Sequence, residues 1–258
     1  MTKFAANLSM LFTEVDFMQR FKLAAKNGFS AVEYMFPYDF PAQAIKKELD
    51  DNKLTQVLFN LPAGDWDGGE RGIACLPQRQ EEFQQGVKQA IEYAKVLGCK
   101  QINCLVGRKD PALSEAETLI TLVQNLRFAA ELLSKENIRL LVEAVNTFDI
   151  PGFYLNRSFQ VKELIKRVNH PNIYFQYDIY HMQRMEGELT ETIKQLFNHI
   201  SHIQLADNPG RHEPGTGEIN YTYLFEQLEA MGYQGWIGCE YKPATTTEQG
   251  LDWLKQYS

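Results

Sequence analysis

Eight parallel strands alternating with helices and closed into a (β/α)8 TIM barrel is the α/β fold that this sequence predicts, as one domain over residues 1–258. Three observations lead there. Short apolar, β-rich runs recur eight times, and segments of helical period lie between them. The 258 residues also match the roughly 250 typical of such a barrel. A doubly wound open sheet is the competing architecture, but its glycine-rich first turn is absent.

The strands are read in order as "KFAANL" (3–8), "AVEYMF" (31–36), "TQVLFN" (55–60), "QINCLV" (101–106), "RLLVEA" (139–144), "IYFQYD" (173–178), "HIQLAD" (202–207) and "WIGCEY" (236–241). Several are apolar almost throughout, as strands covered on both faces require. Between them, "FMQRFKLAAKNGF" puts Phe17, Phe21 and Ala24 on one helical face, with Gly28 as a stop. "QEEFQQGVKQAIEYAKVLGC" repeats the pattern with Phe83, Val87, Ile91 and Ala94 and stops at Gly98. Ser114, three residues before Glu117, opens the next helix with a capping box. "YTYLFEQLEAMGYQG" stops at Gly232. No linker or low-complexity segment divides the chain.

Composition narrows the function. Net charge is −7 and no block of basic residues occurs, so nucleic acid is not an expected partner, since neutralising phosphates takes clustered Lys and Arg. Small anions remain open. No stretch approaches the roughly 18 apolar residues of a membrane span, and the N-terminus lacks a signal-peptide pattern, so the expectation is a cytoplasmic protein without membrane contact. Cys75, Cys99, Cys104 and Cys239 show no C-x-x-C spacing and read as buried, reduced thiols. Walker, dinucleotide-binding and nucleophile-elbow motifs are absent. Self-association of the outer helices into a homo-oligomer is an expectation by analogy alone.

In this fold the chemistry sits at the C-terminal ends of the strands. There the sequence sets Glu143 in "LLVEAV", Asp178 in "FQYDIY", Gln204 in "HIQLAD" and Glu240 in "IGCEYK". A buried carboxylate costs several kcal/mol unless paired or bound to a metal. One such residue reads as a salt-bridge partner or a helix cap. Three carboxylates and the Gln204 amide at consecutive strand ends read as an oxygen-rich site for a hard divalent cation, Mg2+ or Mn2+. His181 follows Asp178 by three residues, where the chain turns back over the mouth, and could donate to a substrate oxygen or satisfy a loop carbonyl. Arg211, in "NPGRHEPGTGEIN", could grip a carboxylate or pair with Glu213. After the third strand, "NLPAGDWDGGERGIACLPQR" is long for a barrel connection. Its glycines, Trp66 and Arg71 fit a lid that meets an anion, and equally an excursion packed on a neighbouring loop.

The motifs "EYMFPYD", "NLPAGDW", "GERGIACLP", "INCLVG", "FDIPGF", "QYDIYHMQRMEGELT", "EPGTGEINY" and "GWIGCEYKP" together resemble the hydroxypyruvate isomerase family of the xylose isomerase-like barrels. The related 2-oxo-tetronate isomerases share the skeleton, including "FAANLSMLF", "GEINY" and "GCEYKP". The resemblance implies interconversion of hydroxypyruvate and tartronate semialdehyde, a small anionic hydroxy-oxo acid substrate, and Glu143 and Glu240 as proton donor and acceptor. It places the superfamily's metal set on Glu143, Asp178, Gln204 and Glu240. Many sugar-epimerase relatives carry histidine where this chain has Gln204, a weaker, neutral oxygen donor. His181 would orient a substrate oxygen, and Arg211, Lys242 or Arg71 would hold the substrate carboxylate. The chemistry agrees with the residues themselves, because moving a carbonyl between adjacent carbons needs one group to take a carbon proton and another to return one.

Overall fold

Each of the eight β-rich runs forms a parallel strand in the computed structural model, which describes residues 2–257. The strands are β1 (Lys3–Asn7), β2 (Ala31–Glu33), β3 (Thr55–Asn60), β4 (Gln101–Cys104), β5 (Arg139–Glu143), β6 (Ile173–Asp178), β7 (Ile200–Leu205) and β8 (Trp236–Cys239). They close in sequence order. Closure is made by β1 on β8, with Phe4 opposite Ile237 and Ala6 opposite Cys239. The barrel is therefore the (β/α)8 fold expected, with β2, β4 and β8 two or three residues shorter than their apolar runs suggest and β7 beginning and ending two residues earlier.

Helices α1 (Phe17–Lys26), α2 (Ala42–Asp51), α3 (Gln80–Leu97), α4 (Glu115–Lys135) and α5 (Ser158–Val168) follow the first five strands. Local chemistry sets their ends. On α4 the Glu117 N–H donates to Ser114 Oγ at 3.2 Å, and the Ser114 N–H donates to Glu117 Oε2 at 2.9 Å. Gly98 stops α3 at φ 71°, a conformation that costs glycine nothing. The face of α1 is anchored by Phe21 and Ala24, both buried, and Phe21→Ala would cost about 3–5 kcal/mol.

The pattern departs from regularity twice. Strand β6 feeds two short helices, α6 (Ile179–Met185) and α7 (Leu189–Leu196), before β7. After α8 (Tyr221–Ala230) and β8, the last segment, Gln249–Gln256, is a 3-10 helix instead of an α-helix. There Trp253 packs edge-on against Phe4, 5.2 Å between ring centres, and seals the bottom of β1.

Strand alternation divides the barrel interior into two zones. A small apolar cluster, Ala5, Ala31, Val57, Leu58 and Leu141, is separate from the large core between barrel and helices. Two residues further along the same strand faces stand polar groups: Asn7 after Ala5, Glu33 after Ala31, Asn60 after Leu58, Glu143 after Leu141. All four are buried. The C-terminal half of the barrel is thus polar inside, and that is where the site lies. All four cysteines are free and buried. Among the described residues no helix is long and apolar enough to cross a membrane.

Candidate active site

Four side chains meet at the C-terminal mouth. Glu143 is the last residue of β5, Asp178 the last of β6, His181 lies in the first turn of α6, and Glu240 follows β8 directly. One ligand atom from each lies within 4.8 Å of all the others, and all four residues are buried. Carboxylates this close repel one another unless a proton or a cation lies between them.

Asp178 serves two ends. Its Oδ1 caps α6, accepting from the N–H groups of Tyr180 (2.8 Å) and His181 (3.2 Å). Its Oδ2 is buried without a partner. An orphaned carboxylate oxygen facing two glutamates is what an oxygen-ligated divalent cation would satisfy, so the donor set fits one.

His181 is fixed from behind. Asn146 takes the backbone N–H groups of Phe148 (3.1 Å) and Asp149 (2.8 Å) on its Oδ1, so its amide nitrogen faces His181 Nδ1 at 2.7 Å. That amide donates, so the neutral ring carries its proton on Nε2. Nε2 lies 3.6 Å from Asp178 Oδ2 and 3.8 Å from Glu143 Oε1. Burial, reinforced by Arg211, holds the imidazole pKa well below its ordinary value, so the ring is a neutral donor.

The two glutamates are held differently. Glu143 Oε2 accepts only amides, from Asn103 Nδ2 at 3.1 Å and Gln176 Nε2 at 3.0 Å. Burial raises its pKa well above the usual carboxylate range, and Glu240 and Asp178 push it further. Glu240 Oε1 accepts from Asn7 Nδ2 at 3.2 Å, while Oε2 meets the Arg211 guanidinium at 2.8 Å. Burial raises Glu240 as well, to about 8, but the arginine works against the rise.

Arg211 reaches this position from the β7–α8 loop, where its backbone is left-handed at φ 55°. Its guanidinium lies over the Tyr180 ring at 5.1 Å and 3.7 Å from Asp149 Oδ2. Glu213, the alternative partner considered from sequence, accepts instead from the Ala244 N–H at 3.0 Å. Arg71 and Lys242 are placed otherwise. The Arg71 guanidinium stacks on Trp66 at 4.1 Å and bonds to the carbonyls of Trp66 and Glu70 within its own loop. Lys242 is exposed, and its backbone N–H donates to the Arg211 carbonyl. Gln204 lies on the floor of the site: its Oε1 accepts from Gln176 Nε2 at 2.6 Å, and its Nε2 donates to Glu33 Oε1 at 2.7 Å. One lone pair of that amide oxygen remains for a cation.

The long connection after β3 packs as an excursion. The Gly72 N–H donates to Ala63, and the Cys75 N–H donates to Val106. A Cβ on Gly72 would stand 2.0 Å from the Leu105 carbonyl, and one on Gly107 would stand 2.4 Å from that of Gly72. These glycines serve close approach between the two loops. Sequence reading passed over Asn7, Glu33, Asn103, Asn146, Gln176 and His202. For those on strands the available signal was a polar residue within an apolar strand; Asn146, beyond the end of β5, had none.

Comparison with known proteins comes down on the same fold. The xylose isomerase-like TIM barrel family matches residues 21–257. Hydroxypyruvate isomerase of Escherichia coli (strain K12) is 58% identical over 100% of both chains. A 2-oxo-tetronate isomerase of Cupriavidus necator is 45% identical, over 100% of this chain and 99% of its own. Among crystal structures, an AP endonuclease, family 2, from Brucella melitensis superposes with a TM-score of 0.98 at 47% identity, covering 100% of this chain and 99% of that one.

Proposed function

The chain belongs to the hydroxypyruvate isomerase family of xylose isomerase-like TIM barrels, and from that membership we propose that it interconverts hydroxypyruvate and tartronate semialdehyde. The observation that carries the reading is a pair of buried glutamates, Glu143 and Glu240, with raised pKa values within one small cluster. The reaction removes a proton from C3 of hydroxypyruvate, passes through an enediolate, and returns a proton to C2, while the hydroxyl proton of C3 ends on the oxygen of C2. Atoms and charge balance without an external reductant or oxidant.

Roles follow from the surroundings. Glu240, whose carboxylate form the Arg211 guanidinium favours, takes the carbon proton. Glu143, surrounded by burial and neutral amides, keeps its proton and delivers it. His181 Nε2–H donates to the substrate oxygen on which negative charge develops. Arg211 holds the substrate carboxylate, shifting part of its charge away from Glu240 as it does so. Glu143, Asp178, Gln204 and Glu240 would hold a divalent cation, Mg2+ or Mn2+, which supplies Lewis-acid polarisation of the substrate oxygens.

A second reading, the same chemistry on a four-carbon 2-oxo acid, is favoured by the 45% identity to a 2-oxo-tetronate isomerase. A nuclease reading, prompted by the Brucella structure, is disfavoured by a net charge of −7 and by a cluster that contains one histidine. The cytoplasm is the proposed location, on the ground of four free, buried thiols.

The test is turnover of EDTA-treated protein on hydroxypyruvate and on 2-oxo-tetronate, with and without Mg2+ or Mn2+. Faster turnover of the three-carbon acid is expected. Preference for the four-carbon acid would move the protein to the second reading, and activity on neither would overturn both.

A further inference from the structure

Beneath the two glutamates lies a third that the proposed reaction does not use. Glu33, the last residue of β2, is fully buried. Its Oε2 is 2.6 Å from His202 Nε2. Its Oε1 accepts from Asn7 Nδ2 at 2.9 Å and from Gln204 Nε2 at 2.7 Å. Strand β8 leaves room for it, since a Cβ on Gly238 would stand 2.3 Å from both carboxylate oxygens. Four strands, β1, β2, β7 and β8, therefore converge on one carboxylate. A buried carboxylate that served only to fill space would be poorly placed, because an apolar side chain of similar volume packs there at lower cost.

What a carboxylate does that an apolar group cannot is to dictate direction. It accepts and never donates, so each amide touching it must present its nitrogen. Asn7 does so, and its amide nitrogen also reaches Glu240 Oε1. Gln204 does so, which turns its oxygen toward Gln176, and Gln176 then gives its nitrogen to both Gln204 and Glu143. The polarity of the chain Glu240–Asn7–Glu33–Gln204–Gln176–Glu143 is held at its centre and its ends: Gln204 Nε2 donates to Glu33, Asn7 Nδ2 is divided between Glu33 and Glu240 while its Oδ1 accepts from the Ser9 N–H at 3.1 Å, and Gln176 Nε2 is divided between Gln204 and Glu143. Two buried acceptors, Gln176 Oε1 and Asn103 Oδ1, are left without partners while their nitrogens point at Glu143. Such orphans are costly and persist only where the donor direction is over-determined.

We propose that Glu33 is the shared positioning residue of the site, holding Glu143 and Glu240 in mutual register through the amides of Asn7 on one side and of Gln204 and Gln176 on the other. The inference rests on the reading of those glutamates as the proton-transfer pair. Removing the central acceptor takes the acceptor from Gln204 Nε2 and leaves Asn7 Nδ2 with Glu240 alone, so the glutamates lose alignment with each other while the groups that bind the substrate stay in place.

The experiment compares wild type with Glu33→Met, Glu33→Gln and Gln176→Met on hydroxypyruvate in D2O, reading kcat, KM and the ratio of deuterium returned to recovered substrate over product formed. Glu33→Met should lose on the order of 100-fold in kcat with KM nearly unchanged. Its exchange-to-isomerisation ratio should rise several-fold, because the intermediate is reprotonated more often where it lost its proton. Glu33→Gln, which keeps one acceptor oxygen, should recover part of both. Should Glu33→Met fail to fold, Gln176→Met, which cuts only the arm to Glu143, must still raise the ratio. Loss of kcat with an unchanged ratio would mean that Glu33 merely supports the fold, and unchanged kcat would likewise overturn the proposal. Wild type inactive on hydroxypyruvate would instead sink the underlying reading.

Discussion

Glu143 and Glu240 occupy the same mouth, three strands apart one way round the barrel and five the other, yet their surroundings differ in one respect. Glu143 receives neutral amides alone, whereas Glu240 receives one amide and one guanidinium. Burial raises both carboxyls, the Arg211 charge opposes the rise at both, and only the second also takes a hydrogen bond from that cation. The lesson is that a single long side chain arriving from a loop can divide two equivalent acids into a donor and an acceptor. The strands place the pair; the loop assigns the roles.

The largest effect that could break this comparison is removal of either acid. Glu143→Gln and Glu240→Gln should each lower kcat by about 10³-fold or more, while circular dichroism shows an intact barrel. Deuterium exchange then tells them apart. Hydroxypyruvate recovered from Glu143→Gln should still exchange its C3 proton, and that recovered from Glu240→Gln should not. The reverse pattern would exchange the two roles.

Next in size is the cation. Arg211→Met should raise KM for the anionic substrate by about 10- to 100-fold, the worth of roughly 1.5–3 kcal/mol for a charge-assisted hydrogen bond. Lys242→Met should leave KM near wild type, since that side chain is exposed. Equal losses in both would remove Arg211 as the distinguishing group.

A thermodynamic consequence comes third. In the metal-free protein the carboxyl of Glu240 titrates at about 8 against a reference of 4.5, so the folded state holds that proton more tightly than the unfolded chain does. The resulting stability is fully present below pH 4.5 and is lost as pH rises through about 8. The depressed His181 pKa acts in the opposite sense, its contribution disappearing as pH falls below 6.5. Subtracting the melting curve of Glu240→Gln from that of wild type isolates the glutamate, and the difference should shrink as pH rises. A difference that grew with pH would mean that the folded state holds the Glu240 proton less tightly than the unfolded chain does. Smallest is Gln204→His, expected to tighten Mn2+ binding by about tenfold or less, read by calorimetry. Unchanged affinity would remove Gln204 from the ligand set.

Much of this was legible in the chain. Glu143, Asp178 and Glu240 announce themselves because an ionisable group in an apolar strand has no inexpensive explanation. The barrel was legible for a related reason, since eight parallel strands covered on both faces leave eight apolar runs. Glu33 sat in an equally apolar run but outside the strands on which the carboxylates were sought, and Asn7, Asn103 and Gln176 are neutral amides that only neighbours make meaningful. Arg71 and Arg211 looked alike in sequence, both set in glycine-rich loops. Which of them reaches the mouth depends on how each loop folds back, a matter of packing between segments distant in the chain.

The seam between Gly72 and Gly107 has a practical bearing on redesign. Each residue takes a left-handed backbone, at φ 115° and 105°, and each would drive a side chain into the other loop. A mutagenesis library aimed at widening substrate scope would waste its diversity there, because nearly every substitution forces apart two loops that frame the mouth. Diversity is better spent in the turn that carries Arg211, at positions other than Arg211 itself, where a change in pocket length leaves that seam closed.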